Sequence, residues 1–474
     1  MELRPYQKEA IRLLQNGFRK HKAQVLCLPT GSGKTIIFST MVEMAAKNGT
    51  PTLVLTHRRE LFEQTFKAID RLGVNIQRIN AETKRIDGLA LVSVAMVETL
   101  ERRLKKGLEL MPKLIIIDEA HFGNFTKILD YFSSSFVIGA TATPIGKHFH
   151  KYYQNIVESI TISELIEQKY LCDYRAFQMQ DDFSDVKKSK GEFDDSSLFQ
   201  HFDKPTLYKG VIDKYIEKCN GKKAIVFNCN ILHSDIMAKS FCDVGIQSYS
   251  ITSKTEKSER LRILQDFHDS KFLVLNNCGI LTTGYDEPSI EVVIMNRATL
   301  SLPLWLQCCG RGSRTYQNKT HFTVLDFGMN HHRLGMWNEQ REWSLAPPKE
   351  KKEKAPPIKD CEQCGALCYA SVRVCPFCGF EFISSDKATE IKDGILVEIK
   401  KPSYDGKKIS ECTISELIKL QKDGKYKATF IHRVVRAKGS DYIHIYAKAM
   451  GYKKGWEFHQ KTMSSDTQYN DYTL

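Results

Sequence analysis

The sequence predicts an α/β protein with two tandem parallel-sheet lobes, then a small cysteine module and a basic C-terminal domain. Three observations predict it. Short apolar runs alternate with amphipathic stretches up to about Trp343. Short polar motifs stand directly after several of these runs, where α/β sheets place their ligands. Two Cys-x-x-Cys pairs follow a proline-flanked charged segment late in the chain.

In the first lobe, residues 1–180, the expected strands are Val25–Leu28, Thr52–Leu55, Leu89–Val92, Leu114–Ile117 and Phe136–Gly139. Helical patterns such as Arg59–Leu72 lie between them. PTGSGKT follows the first strand, THRRE the second, DEAH the fourth and TATP the fifth. A charged stretch poor in aliphatics, 181–204, reads as an inter-lobe connection. The alternation resumes over 205–343, with strands expected at Lys223–Phe227, Ser248–Ile251, Phe272–Leu275, Val292–Met295 and Phe322–Leu325. The run APPKEKKEKAPPIK makes 344–359 an extended linker. The cysteine module occupies 360–383. A domain rich in Lys and Tyr fills 384–474, with helical periodicity at Ile414–Leu420 and near Tyr442–Met450.

The chain has 474 residues, enough for several domains. Its net charge of +13 fits a partner that is a polyanion, though charge alone does not name one. The N-terminus lacks a signal-peptide core, and no apolar run is long enough to span a bilayer. The 14 cysteines are mostly scattered singly through apolar segments, as reduced thiols in a cytoplasmic compartment would be.

PTGSGKT, between a strand and a helix, is a phosphate-binding loop. Pro29, Thr30, Gly31, Ser32 and Gly33 form the cradle, and the glycines let backbone N–H groups approach phosphate oxygens. Lys34 is placed to neutralise β/γ charge and Thr35 to hold Mg²⁺. Leu28 occupies the position of the first glycine in the general pattern. In IIIDEAH, a buried strand delivers Asp118 to the metal and Glu119 to the attacking water. The alternative is a surface acid pair opening a helix, which the phosphate loop upstream makes a poor explanation.

Taken in order, PTGSGKT, DEAH, TATP, TTGYD at Thr282–Asp286 and QCCGRGSR at Gln307–Arg314 resemble the motifs of superfamily 2 helicases. LRPYQKEA is similar to that family's adenine-reading segment and THRREL to its first nucleic-acid motif. The resemblance covers Leu3 to about Phe327 and is nearest the RadD-like and XPB-like DNA helicases. It implies two RecA-like lobes with ATP and Mg²⁺ between them. It implies that Gln7 reads adenine with Arg4 and Tyr6 nearby. Gly284 and Asp286 would line the ATP cleft, and Arg311 and Arg314 would be arginine fingers. His121, Thr141, Thr143 and Gln307 would couple the nucleotide site to the strand-binding surface. Candidate contacts to a nucleic-acid backbone are Thr56, Arg58, Ser93 and Thr282, with ordinary loop roles the alternative for Arg58 and Ser93.

Cys361, Cys364, Cys375 and Cys378 have the C-x₂-C-x₁₀-C-x₂-C spacing of a closed tetrahedral Zn²⁺ site, with Cys368 a bystander. Redox CxxC chemistry is the competing reading. Cys308 and Cys309 read as small buried hydrophobes. GYKKGW at Gly451–Trp456 resembles a segment at the ends of some bacterial and phage helicases. It could stack on bases, or Trp456 could be core; Ser464–Leu474 reads as a frayed end. The expected function is an ATP-dependent DNA helicase or translocase in a bacterial or phage-infected cytoplasm, a nuclear setting being the other possibility. Its partner is nucleic acid, with protein partners possible through the C-terminal domain. The alternatives are an RNA helicase, the motor of a repair or restriction complex, and an inactive adaptor.

Overall fold

The computed structural model describes residues 3–346 except 89, 180 and 190, residues 358–382, and parts of 389–457. The chain divides into two compact units, Met1–Phe382 and Ile383–Leu474. Most of the linker, the Ser464–Leu474 end and residues 453–455 of GYKKGW lie outside the described residues.

The first lobe contains β1 (Ala23–Cys27), β2 (Thr52–Thr56), β3 (Ile76–Ile79), β4 (Val92–Met96), β5 (Leu114–Asp118), β6 (Phe136–Thr141) and β7 (Asn155–Val157). They form one parallel sheet in the order β3-β4-β2-β5-β6-β1-β7. The helices are α1 (Pro5–Gly17), α2 (Lys34–Lys47), α3 (Arg59–Asp70), α4 (Val97–Leu104), α5 (Thr126–Leu129), α6 (Lys147–Tyr152) and α7 (Ile162–Glu167). Strands β1, β2 and β5 are buried along their whole length, as the apolar runs require of a sheet covered on both faces. Pro5 starts α1, where its missing N–H costs nothing, and Tyr6, Ala10, Ile11 and Leu14 form its buried stripe. The third strand lies at Val92–Met96, not Leu89–Val92. Leu91 only lends its carbonyl to Thr52 N–H (2.9 Å) before pairing with β2 begins at Val92. Edge strands β3 and β7 escaped the sequence because Gln77, Arg78 and Asn155 break their apolar pattern.

The second lobe contains β8 (Asp173–Gln178), the hairpin β9 (Lys188–Ser189) and β10 (Glu192–Phe193), β11 (Ala224–Asn228), β12 (Ser248–Ile251), β13 (Val274–Asn277), β14 (Val292–Asn296) and β15 (His321–Asp326). Its main sheet, again parallel, runs β12-β13-β11-β14-β15-β8. Its helices are α8 (Asp195–Phe202), α9 (Pro205–Cys219), α10 (Ile231–Asp243), α11 (Lys257–His268), α12 (Leu302–Cys309) and α13 (Asn330–Leu334). Two boundaries therefore change. Residues 173–178 belong to the second sheet although they precede 180. The 181–204 stretch is no free connection: Phe183, Val186, Phe193, Leu198 and Phe202 are buried in the second lobe's core. Glu192 pins it there, accepting hydrogen bonds from Thr299 Oγ1 (2.6 Å) and Leu300 N–H (2.7 Å). β13 is shifted two residues from expectation because Asn276 and Asn277 are buried strand residues. Asn276 bonds Ser248 and Asn228, and Asn277 donates to the Val226 carbonyl. Cys308 and Cys309 are fully buried, and burial pushes the Cys308 thiol up to about 12.

The cysteine module opens with antiparallel β16 (Ile358–Asp360) and β17 (Leu367–Tyr369), so its structure begins inside the expected linker. It leans on the second lobe: β17 packs on β8, Arg175 lies over the Phe377 ring (5.6 Å), and Leu367 joins the lobes' core.

The second unit contains hairpins β18 (Thr389–Lys392) with β19 (Ile395–Glu398) and β20 (Ser403–Tyr404) with β21 (Lys407–Lys408). Helices α14 (Ile414–Lys422), α15 (Ala428–Ala437) and α16 (Ser440–Met450) follow. Cys412, Leu417, Leu420, Ile431, Val435, Ile443 and Tyr446 form its core. Trp456 packs against Tyr452 (ring centroids 4.5 Å apart) and His432 (4.9 Å), so the core alternative holds for this residue.

Candidate active site

The phosphate loop leaves β1 and enters α2. Gly31 (φ 86°) and Gly33 (φ 81°) take left-handed conformations that L side chains resist. A Cβ on Gly33 would meet Gln7 Nε2 at 2.7 Å. That contact reflects a latch from α1: Tyr6 OH (2.6 Å) and Gln7 Nε2 (3.2 Å) both donate to the Ser32 carbonyl. Gln7 Oε1 accepts from Arg4 N–H (3.0 Å), and the Arg4 guanidinium lies over Tyr170 (4.4 Å). Leu28 needs no glycine freedom because it continues β1, its N–H bonding the Thr141 carbonyl (3.1 Å). Lys34 Nζ donates to the Leu28 (3.0 Å) and Pro29 (3.2 Å) carbonyls, and Thr35 is the next residue of α2.

Asp118 ends β5, and Glu119 follows in a left-handed conformation (φ 52°, ψ 52°). That backbone costs a non-glycine residue about 1–3 kcal/mol and aims the side chain into the cleft end of the sheet. Burial and the neighbouring Glu119 charge push the Asp118 carboxyl up, against the pull of Lys34. Burial alone would also raise Glu119, but the His121 ring nitrogen 3.3 Å away and the charges of Lys34 and Arg311 hold it down. His121, Lys34 and Arg311 thus favour the ionised form of Glu119.

The expected coupling residues converge. His121 Nδ1 lies 3.3 Å from Glu119 Oε2 and 3.0 Å from Thr141 Oγ1. Thr141 Oγ1 also accepts from Thr143 N–H (3.0 Å). On the ring's other side, His121 Nε2 lies 3.5 Å from Gln307 Nε2 of the second lobe. Arg311 and Arg314 approach the same cleft from beyond α12. Arg311 is buried and donates to the Tyr285 carbonyl, while Arg314 pairs with Asp286. Gln64 of α3 reaches across to the Gly284 carbonyl. The resulting cleft encloses about 350 Å³ and is lined from both lobes, by Gln7, Lys34, Thr35, Asp118 and Glu119 on one side and Gly284, Asp286, Arg311 and Arg314 on the other.

The four nucleic-acid candidates fare differently. Arg58 Nη1 reaches the second lobe at the Gly279 carbonyl (3.4 Å) and Thr282 Oγ1 (3.5 Å). Thr282 is nearly buried and donates to Gly279 O (3.1 Å). Thr56 has no exposed surface; its hydroxyl points at Met96 Sδ (3.7 Å). Ser93 sits near the start of β4, bonded to Gln77 Nε2 (3.0 Å), and lines a hollow with Thr52 and Pro112 at the opposite end of the sheet. Thr56 and Ser93 are therefore not placed to touch a strand, because one hydroxyl points inward and the other lies at the far end of the sheet.

Cys361, Cys364, Cys375 and Cys378 bring their sulfurs within 4.8 Å of one another. Cys361–Cys378 and Cys364–Cys375 are 3.6 and 3.8 Å apart. A tetrahedron with ~2.3 Å Zn–S bonds has edges of about 3.8 Å, so the four thiols suit zinc. Gly365 (φ 72°) and Gly379 (φ 75°) turn the chain after each pair, their N–H groups bonding the Cys361 (2.7 Å) and Cys375 (3.0 Å) carbonyls. Cys368 is buried with its sulfur 3.9 Å from Cys375, outside the set of four.

Residues 1–146 match the family model described as type III restriction enzyme, res subunit, and residues 208–316 match the helicase conserved C-terminal domain. The chain belongs to the superfamily 2 helicases. A 51.5 kDa protein of a Lactococcus phage is 29% identical over 77% of this chain and 79% of its own length. A Saccharomyces cerevisiae protein named as the ATP-dependent helicase IRC3 is 32% identical over 69% of this chain and 51% of its own length. The DNA 3'-5' translocase XPB2 of Sulfurisphaera tokodaii is 24% identical over 66% of this chain and 78% of its own length. The chain thus spans about half of the yeast relative and over three-quarters of the other two. Among the described residues no helix is long and apolar enough to cross a membrane.

Sequence reasoning did not single out Gln64, Tyr285, His148 or Phe122. Gln64 lies outside every motif, and Tyr285, although inside TTGYD, meets Arg311 through a backbone carbonyl that its residue type does not announce. His148 holds the turn after the acids, its Nε2 2.9 Å from the Ala120 carbonyl. Phe122 directly follows DEAH and could have been found there.

Proposed function

We propose that this superfamily 2 helicase is an ATP-driven motor on DNA, a translocase or helicase that hydrolyses ATP between its two lobes. The observation that carries this reading is the cleft in which Lys34, Asp118 and Glu119 from one lobe face Arg311 and Arg314 from the other. Phosphoryl transfer demands little covalent chemistry from a protein; it demands positioning and positive charge on the transferring group. The loop from Pro29 to Thr35 cradles the phosphates, with Lys34 exchanging the Leu28 and Pro29 carbonyls for β/γ oxygens. Asp118 and Thr35 would hold Mg²⁺, which supplies charge neutralisation between the phosphates. Glu119, kept ionised, orients the attacking water and accepts its proton. Arg311 and Arg314 must leave Tyr285 O and Asp286 to serve as fingers. Reaching the phosphates from the second lobe then ties hydrolysis to lobe movement. Gln7 and Arg4 form the adenine end.

DNA is favoured over RNA by the restriction-subunit family model on the first lobe and by the likeness to a DNA translocase. The Cys361, Cys364, Cys375 and Cys378 site takes structural zinc. A restriction or repair assembly would supply any nuclease, since the motor motifs here carry none.

The test compares ATP turnover of the full chain with single-stranded, duplex and forked DNA and with RNA. Stimulation of at least tenfold by DNA and little by RNA is expected. Equal or greater stimulation by RNA would replace the substrate, and no turnover under any condition would make the chain an adaptor.

A further inference from the structure

We infer that Phe122 is a strand contact, its exposed ring stacking on a base or sugar of single-stranded DNA so that strand occupancy is felt at the acid pair. The inference rests on the motor reading above and adds a residue to it.

Phe122 is 41% exposed, although it follows the buried acid Asp118 by only four residues. Its backbone is fixed. The turn Ala120–Phe122 is held by His148 on the Ala120 carbonyl, and Gly123 (φ 70°) ends it against the His148 ring. Part of the Phe122 ring is covered by protein, the tilted His57 ring 3.8 Å away and the tilted His121 ring 4.3 Å away, centroid to centroid, and the rest is open to solvent. The Arg58 guanidinium sits 5.9 Å from its centroid, and Arg58 itself bridges to Gly279 and Thr282 of the second lobe. The exposed aromatic thus lies at the rim where the two lobes meet, beside a cation suited to phosphate. Neither ring nitrogen of His57 has a hydrogen-bond partner among the described residues. Aromatic faces bind bases without regard to sequence, which suits a motor that must pass every sequence.

The route inward is short. The Phe122 ring lies tilted against His121, and His121 touches both Glu119 and Gln307. A base seated on Phe122 would bias the ring pair, and with it the contacts of His121 with the acid and with the second lobe. The bland alternative is that Phe122 only covers His57.

Two variants of the full chain decide between these. Phe122→Trp keeps an aromatic ring and adds a reporter; titration with an oligothymidylate should quench its emission beyond the change seen in wild type. Phe122→Ala should raise the DNA concentration for half-maximal ATPase stimulation about fivefold or more, in line with ~1–3 kcal/mol per stacked base. No additional quenching at DNA concentrations that saturate ATPase, together with an unchanged half-maximal concentration in Phe122→Ala, would overturn the inference alone. A wild-type protein that neither binds nor responds to DNA would overturn the motor reading and this inference with it.

Discussion

Gln307 and His121 meet across the cleft between the lobes, their Nε2 atoms 3.5 Å apart. His121 simultaneously touches Glu119 and Thr141, so a single imidazole joins the Glu119 carboxylate, the end of β6 and the second lobe. Loss of the second-lobe partner should uncouple the lobes without emptying the nucleotide site. Gln307→Ala is expected to lower DNA-stimulated turnover about tenfold, ~1.4 kcal/mol of barrier. Nucleotide affinity, measured with a fluorescent ATP analogue, should stay within a few-fold. A fall in affinity equal to the fall in turnover would make Gln307 a nucleotide ligand instead.

The acid and the fingers should separate kinetically. Glu119→Gln keeps the size and removes the base, so ATP binding survives while turnover drops by 10²-fold or more, the usual weight of a general base. Arg311→Ala should cost ~10³-fold or more in turnover, as loss of an arginine finger does, with little change in DNA affinity. It also leaves the Tyr285 carbonyl without its donor, so its melting temperature must be compared with wild type. Arg314→Ala loses only the partly exposed pairing with Asp286 and should be the cleaner variant. If either arginine variant lost DNA binding but kept full turnover at saturating DNA, that arginine would be a strand contact.

Much of this site was legible in the sequence for a physical reason. Phosphate cradles and acid pairs are local: Gly31, Gly33, Lys34, Asp118 and Glu119 act within a few residues of a strand end, and that geometry survives in linear order. The convergence of His121, Thr141 and Gln307 was legible only through family resemblance, since nothing local in Gln307 points to His121. Direction within a strand was not legible. Ser93 and Thr56 carry suitable hydroxyls, yet one lies at the wrong end of the sheet and the other points inward. The 181–204 segment misled because its apolar residues are few and irregularly spaced, so Phe183, Phe193 and Phe202 gave no periodicity although all three are buried.

Zinc analysis should return one metal per chain. Cys361→Ser or Cys378→Ser should lose it, whereas Cys368→Ser should retain it, because the Cys368 sulfur lies outside the four converging thiols. The module packs on β8 through β17, and Lys218 Nζ reaches the Cys364 carbonyl (3.4 Å). Metal removal by a chelator should therefore also lower the melting temperature of the lobes, and not only unfold the module. A fully loaded Cys361→Ser protein would remove that thiol from the ligand set.

His233 gives the second lobe an acid-sensitive core. It is buried between Cys229 Sγ (2.9 Å from Nδ1) and Asn296 Nδ2 (3.0 Å from Nε2), and burial, aided by the Arg297 charge, holds its pKa down at about 3. The unfolded chain protonates this histidine near pH 6.5. The folded pKa lies lower, so stability is full above about pH 6.5 and is lost as pH falls toward 3. Between pH 6.5 and 5 the loss from this group is about 1–2 kcal/mol. His233→Gln should be less stable at neutral pH yet show a shallower decline on acidification. Parallel pH profiles of melting temperature for the two proteins would assign the acid sensitivity to other groups, His57 first among them, since burial lowers it to about 4.

Truncation after Phe382 removes the second compact unit and leaves every residue of the cleft and the cysteine module in place. Basal ATPase should therefore survive. If the removed unit grips DNA, affinity should fall and its salt dependence should flatten, each lost phosphate contact taking about 0.9 from the slope of log K against log salt on duplex DNA. The packing narrows which residues can do this. Trp456 is partly buried against the unit's core, tilted on Tyr452 and edge-on to His432, so Trp456→Ala should destabilise the three helices and not merely delete a stacking platform. Surface cations are the better probes. Replacing exposed Lys422 and Lys448 with Gln should leave helicity by circular dichroism intact while reducing the salt slope. An unchanged slope and affinity in both the truncation and the Lys variant would assign the unit to a protein partner. Its exposed Tyr442 and Ile445, on one face of α16, would then be the residues to substitute first.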